Sequence, residues 1–199
     1  MYIILGIVSY FIGSIPFSYL LPKWIGKIDI RLHGSGNTGT TNVLRTLGMK
    51  VGILSFIGDF LKGIVPTAVG MIVLGEIGAI IGGSMAVLGH CYSIWLKFKG
   101  GKGVATSAGV LIILMPDIFL ILLMTQFIII ALSRYMSFAS ISSAVLLPLF
   151  AVLFSKSLEI VIFSVCLGLF VLYKHHTNIK RLLNGTESKL KIKSKKSDI

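Results

Sequence analysis

The sequence is short of what a soluble protein depends on. Only 13% of its 199 residues are charged, and acids are scarcest, seven Asp and Glu against nineteen Lys and Arg, giving a net charge of +12. With 55% apolar residues and a mean hydropathy of +0.93, this excludes an ordinary soluble domain and predicts a polytopic membrane protein. The excess of positive charge does not imply nucleic acid, because the basic residues fall in short stretches between apolar runs; no nucleic-acid partner is expected. There are two cysteines, Cys91 and Cys166, and both lie in apolar runs, which predicts buried thiols rather than a disulfide. No carboxylate cluster accompanies the His175–His176 pair, so neither a metal nor an organic cofactor is expected. The first segment lacks a basic leader and an A-x-A-like cleavage site, which predicts a retained membrane helix rather than a signal peptide.

What is present is a series of apolar segments: Tyr2–Pro22, Val51–Gly75, Ile77–Phe98, Val104–Met115, Ile118–Leu132, Phe138–Phe154 and Leu158–Tyr173. A span needs roughly 17–25 apolar residues, so the fourth is short and is expected to be tilted or to sit as a half-helix. A loop at 23–50 with Lys23, Lys27, Arg31, Arg45 and Lys50, a loop at 97–103 with Lys97, Lys99 and Lys102, then Arg134 and the tail from Lys174 fall on one side; Glu76, Asp117, Lys156 and Glu159 fall on the other. The positive-inside rule then gives an all-α protein of seven transmembrane helices, N-terminus outside and C-terminus cytoplasmic. Residues 1–188 form one membrane domain, and 189–199 a basic tail that serves as an orientation signal and a contact for anionic membrane lipids.

Three polar stretches fall on the cytoplasmic side. In HGSGNTGTTN, 33–42, Gly34, Gly36 and Gly39 free the backbone to turn and to aim N–H groups at an anion. Ser35, Asn37, Thr40, Thr41 and Asn42 add side-chain donors, and Arg45 follows one helical turn after Thr41. The G-x-G-x-x-G spacing is not a dinucleotide fingerprint here, because no strand or βαβ unit accompanies it. The second stretch, KFKGGKGVAT at 97–106, leads into the short fourth helix, an arrangement that favours anions. It is not a Walker loop: Leu96 stands where a glycine is required and Gly103 where Ser or Thr is required. In the third, HHTNIKRLLNGTE at 175–187, His175, Asn178 and Arg181 would share a helix face. Asp59 and Lys62, three apart within an apolar segment, are expected to form a structural ion pair facing the bundle interior, and Ser137 and Ser140 to face the cytoplasmic cavity.

GSGNTGTTNVLR at 34–45, GHCYSIWLKFKGGKGVAT at 89–106 and HHTNIKRLLNGTE at 175–187, in this order and spacing, resemble the three motifs of the bacterial acyl-phosphate:glycerol-3-phosphate acyltransferases, the PlsY type. The resemblance covers essentially the whole chain. It implies a seven-helix membrane enzyme of the bacterial cytoplasmic membrane, with its site at the cytoplasmic face. Its substrates would be acyl phosphate and glycerol 3-phosphate, and its product lysophosphatidic acid. Carried over by motif, Ser35, Arg45, His175 and Asn178 become the catalytic candidates. Gly36, Asn37, Asn42, Gly100, Gly101, Lys102, Gly103 and Ser140 become the substrate-binding candidates, with Glu187, Asp59 and Lys62 structural. Thr40 departs from the family's usual alanine. Arg45, Lys102, His175 and Asn178 are expected to hold two phosphates, with Ser35 and the glycine-loop amides polarising the reacting groups. No acid near Ser35 completes a triad, so of two schemes, acylation of Ser35 followed by transfer and direct attack by the acceptor hydroxyl with a bound phosphate taking its proton, the second is favoured. The alternative is a membrane transporter for an anionic solute, which would place its polar groups near the midplane and show an internal repeat.

Overall fold

The computed structural model describes residues 1–190; the expected basic tail lies outside the described residues from 191 onward. Described residues form only helices and connections: α1 Tyr2–Ser14, α2 Phe17–Ile25, α3 Thr40–Leu47, α4 Met49–Cys91, α5 Val104–Leu114, α6 Pro116–Ser133, α7 Met136–Leu153, α8 Leu158–Lys174 and α9 His176–Leu183, with single 3-10 turns at Ile30–Leu32 and Ile94–Leu96. A helix satisfies its own backbone N–H and C=O groups, which is what an apolar chain in lipid requires.

The helix boundaries follow local chemistry. Pro16 has no N–H to continue the ladder, so the first apolar segment breaks into α1 and α2. Gly75, at φ 68°, turns α4 back on itself. The two arms, 49–74 and 76–91, then pack so closely that a Cβ on Gly70 would strike the Gly78 carbonyl and one on Gly82 the Pro66 carbonyl. Pro116 opens α6 and the Ser157 hydroxyl caps α8 by accepting from Ile160 N–H. Each of the seven expected apolar segments therefore has a helix, counting the arms of α4 separately.

By length and composition, Tyr2–Ile25, Met49–Leu96, Pro116–Ser133 and Met136–Leu153 can cross a membrane, and Leu158–Lys174 with His176–Leu183 makes a fifth candidate bent by 61°. The short α5, 11 residues, extends only about 16 Å at ~1.5 Å per residue, half of a bilayer core. Three expectations need correction. The segment expected to run Ile77–Phe98 ends as a helix at Cys91, where a 3-10 turn and left-handed Lys97 and Phe98 follow. The stretch 23–50 is not all loop, since it holds α3 and places Arg45 on a helix. Cys91 is buried but Cys166 is exposed, on the outward face of α8 beside exposed Ile162, Val165 and Leu169.

A core of Val87, Val110, Leu111, Met115, Ile118, Leu147, Phe163 and Leu167 joins the second arm of α4 to α5, α6, α7 and α8. Large apolar side chains such as Leu120, Met124, Phe127 and Ile128 of α6 point outward, the pattern of helices solvated by lipid. At one end of the bundle the Lys156 ammonium lies 2.7 Å from Asp117 and the Ser157 hydroxyl 2.6 Å from Glu76. The start of α5, the start of α7 and the junction of α8 with α9 meet at the other end, around one cavity.

Candidate active site

That cavity, about 370 Å³, is built from all three polar stretches. In the first, Gly34 and Gly36 take positive φ, 60° and 70°, and the turn is tied down by the buried Asn42 amide. Asn42 Oδ1 accepts from Ser35 N–H at 2.9 Å, while Nδ2 donates to the carbonyls of Ile30, His33 and Asn37. Asn42, expected to bind substrate, lines the cavity and uses its amide N–H groups and one Oδ1 lone pair to hold the loop together. Gly36 N–H is likewise spent, on the His33 carbonyl at 3.0 Å.

The second loop repeats this economy. Gly100 and Gly101 donate their N–H groups to the Cys91 and His90 carbonyls at 3.2 and 3.1 Å. A Cβ on Gly101 would collide with His90 Nε2, so glycine is there for close approach. Gly36, Gly100 and Gly101 do not reach the cavity wall, whereas Lys102 and Gly103 do. The Gly36, Gly100 and Gly101 amides expected to cradle an anion are therefore used inside the protein, while Gly34, Gly39 and Gly103 line the cavity. Donors that remain are the leading N–H groups of α3 and α5 and the side chains of Arg45, Lys102, Arg181, Ser35 and Thr40, all at the cavity. Two of these are buried and without a hydrogen-bond partner among the described residues, Arg45 Nε and Thr40 Oγ1.

The third stretch closes the site. Asn178 and Arg181 lie on α9, and His175 sits at the bend between α8 and α9. Lys102 Nζ donates to Asn178 Oδ1, and Asn178 Nδ2 to Glu187 Oε1 at 2.9 Å. Glu187 also accepts from Ser137 at 2.8 Å and Arg181 Nε at 2.7 Å. Burial works against the Glu187 carboxylate, but the Arg181, Ser137 and Asn178 donors outweigh it and hold its pKa below the ordinary value. Beyond it Arg45 Nη2 donates to the Ser188 carbonyl at 2.7 Å, and Leu190 N–H to the Arg134 carbonyl at 2.8 Å, which lays residues 187–190 along the cavity.

Charge states follow from position. Burial, then the nearby Arg181, pushes the Lys102 ammonium down to about 8. Burial also lowers the Arg45 pKa, though a guanidinium stays protonated. His175, 3% exposed, is pushed down to about 4 by burial, with Lys102 adding to the effect, so the ring is neutral near pH 7. Its Nδ1 lies 2.8 Å from the Val171 carbonyl, and since a carbonyl only accepts, Nδ1 carries the proton and Nε2 keeps its lone pair. A neutral ring that keeps its Nε2 lone pair suits a hydroxyl better than a fully ionised phosphate, and no carboxylate among the described residues orients the ring as a triad would.

Behind the cavity lies a buried polar cluster. Asp59 and Lys62 form their ion pair at 2.7 Å; Ser18 donates to Asp59 at 2.5 Å and Lys62 to the Ile15 carbonyl at 2.7 Å. His90 Nδ1 stands 3.5 Å from Asp59, and Asp59 and His90 both line the cavity while Lys62 does not. Sequence reasoning passed over His90, although it stands inside the second motif.

A second, apolar cavity of about 210 Å³ adjoins the first, walled by residues such as Phe60, Leu111, Phe119, Leu122 and Leu147. Phe56, Val104, Gln126 and Ser140 line both and form the neck between them. Ser140 donates to the Met136 carbonyl at 3.0 Å.

A profile of the family described as glycerol-3-phosphate acyltransferase matches residues 3–185. A glycerol-3-phosphate acyltransferase of Thermoanaerobacter pseudethanolicus is 46% identical over 191 residues, 96% of each chain. A crystal structure of PlsY, an integral membrane glycerol 3-phosphate acyltransferase, in its glycerol 3-phosphate form superposes with a TM-score of 0.91 at 36% identity, covering 96% of both chains. The lysophosphatidic acid form gives 0.88 at the same identity, covering 96% of this chain and 95% of the other. A family profile over nearly the whole chain, and relatives and a fold that match it from end to end, place this protein in one family: it belongs to the glycerol-3-phosphate acyltransferases.

Proposed function

We propose that this chain transfers a fatty acyl group from acyl phosphate to the 1-position of sn-glycerol 3-phosphate, giving lysophosphatidic acid and phosphate for phospholipid biosynthesis. The observation that carries the proposal is the pair of adjoining cavities: a polar one ringed by Arg45, Lys102 and Arg181, and an apolar one reached through a four-residue neck. Two phosphates belong in the first and an acyl chain in the second, so the reacting carbonyl comes to rest between them. The glycerol 3-phosphate and lysophosphatidic acid forms of the related crystal structures supply the acceptor and the product.

Acyl phosphate is a mixed anhydride, so its phosphate is a good leaving group and the enzyme's main tasks are positioning and charge neutralisation. Arg45, Lys102 and the N-terminus of α5 hold the phosphates, with Asn178 and Glu187 fixing the Lys102 ammonium. His175 Nε2 accepts from a glycerol hydroxyl and orients it. The acceptor hydroxyl then attacks the carbonyl carbon, its proton passes to a bound phosphate oxygen, and the carbon–oxygen bond to the leaving phosphate breaks. Ser35, at the cavity edge, contributes its hydroxyl to the substrates without being acylated. In this reading the seven apolar segments, α5 reaching only partway, sit across the bacterial cytoplasmic membrane, with the N-terminus outside and the site and C-terminus at the cytoplasmic face.

Purified protein given long-chain acyl phosphate and glycerol 3-phosphate is expected to release phosphate and lysophosphatidic acid in equal amounts. Uptake of intact glycerol 3-phosphate into proteoliposomes, with neither substrate consumed, would instead support the transporter and end this proposal.

A further inference from the structure

A polar side chain inside a membrane span is costly unless something partners it, and α6 shows how this is ordinarily managed. Thr125 donates to the Ile121 carbonyl at 2.8 Å and Ser133 to the Ile129 carbonyl at 2.6 Å, each folded back on its own helix. Gln126 cannot do this. Its amide has no hydrogen-bond partner among the described residues, and it stands roughly 12 Å along the helix from Arg134, at ~1.5 Å per residue, well within the apolar run. It is also one of the four side chains at the neck between the polar and apolar cavities. Of the other three side chains, Phe56 and Val104 have no polar atoms, and the Ser140 proton is committed to the Met136 carbonyl. Gln126 is therefore the neck side chain with N–H groups to spare, beside the Val104 backbone N–H at the head of α5.

We propose that the Gln126 amide donates a hydrogen bond to the acyl carbonyl oxygen of the donor, a role no motif assigns to it. The inference rests on the acyl-transfer reading above, which puts the reacting carbonyl where the two cavities meet. As the acceptor oxygen bonds to the carbonyl carbon, the carbonyl π electrons move onto the carbonyl oxygen, and the Gln126 N–H faces that charge. When the tetrahedral species collapses, the carbonyl re-forms, the phosphate leaves with the bonding pair, and the hydroxyl proton ends on a phosphate oxygen. Gln126 gains and loses nothing; it stabilises the oxygen while it is charged. The same bond fixes the donor lengthwise, phosphate on one side of the neck and chain on the other.

The test uses Gln126→Met, which keeps the length and unbranched shape of the side chain and removes only the amide. Removing one such donor typically costs about 10²–10³ in kcat, and that loss is expected here with the KM for glycerol 3-phosphate changed less than about twofold. Thermal unfolding in detergent should stay at or above the wild-type temperature, because an unpartnered amide has been taken out of an apolar segment. A second readout is the infrared carbonyl stretch of a bound non-hydrolysable acyl phosphonate, expected to lie lower in the wild type than in Gln126→Met. Active wild type with an equally active Gln126→Met, an unmoved carbonyl band, or loss of activity that merely follows loss of folding would overturn this inference and leave acyl transfer standing. Wild-type protein that does not acylate glycerol 3-phosphate would overturn both.

Discussion

Replacing Lys102 by Met removes a cation from the centre of the polar cavity while keeping most of the side chain's apolar length. In the structure its ammonium donates to Asn178, which is itself held by Glu187, so the charge is fixed in place rather than free in solvent. A hydrogen bond to a charged group contributes about 1.5–3 kcal/mol, which corresponds to a factor of about 10 to 150 in kcat/KM. Loss in that range for glycerol 3-phosphate is expected, read by phosphate release under single-substrate variation, with Arg45 and Arg181 still present to prevent a total loss. The pH profile adds a sign. With its pKa pushed down to about 8 by burial, Lys102 is charged below that pH and neutral above it, so wild-type kcat/KM should fall as pH rises through about 8. Lys102→Arg keeps the charge at every accessible pH and should retain part of the activity while abolishing that alkaline fall. A Lys102→Met enzyme within threefold of wild type, or an alkaline limb unchanged in Lys102→Arg, would refute the reasoning.

Three further outcomes are expected. Asp59→Asn leaves Lys62 buried without its counter-charge, 2% exposed, and breaking such a pair costs about 3–5 kcal/mol; an unchanged unfolding temperature would remove the pair from the account. Gly101→Ala should abolish activity and lower stability, because the added Cβ meets the buried His90 ring and the Thr38 carbonyl, and a fully active, stable variant would show that the 100–103 loop is not held as described. His175, pushed down to about 4, is neutral across pH 5–8 and gains charge only as pH falls through about 4, so kcat/KM should show no limb near 6.5 that belongs to this residue; such a limb, present in wild type and missing in His175→Asn, would contradict the neutral ring.

The helices were legible because the apolar segments are long and the proline and glycine breaks are chemical signals, though Gly75 reads more plainly as a turn once Gly70 and Gly78 are seen to touch. The helix α3 was hidden: eight residues with three apolar positions, Val43, Leu44 and Leu47, resemble a loop in a chain dominated by membrane segments. The motifs correctly gathered Ser35, Arg45, Lys102, His175, Asn178 and Glu187 around one space, but could not say what each amide does. Whether the Gly36 or Gly101 N–H faces a ligand depends on His33 and His90 carbonyls, and the second of these partners comes from a different segment. The same limit hid His90 and Gln126, whose importance comes from neighbours distant in sequence, and it hid the four partners by which the Asn42 amide ties its loop together.

The central claim is direct transfer between two substrates held in one site, and a rapid-quench experiment with acyl phosphate alone addresses it most directly. Direct transfer predicts no burst of phosphate and no mass added to the protein until glycerol 3-phosphate is supplied, when phosphate and lysophosphatidic acid appear together. A stoichiometric phosphate burst from donor alone, with an acyl group recovered on the Ser35 peptide, would contradict it.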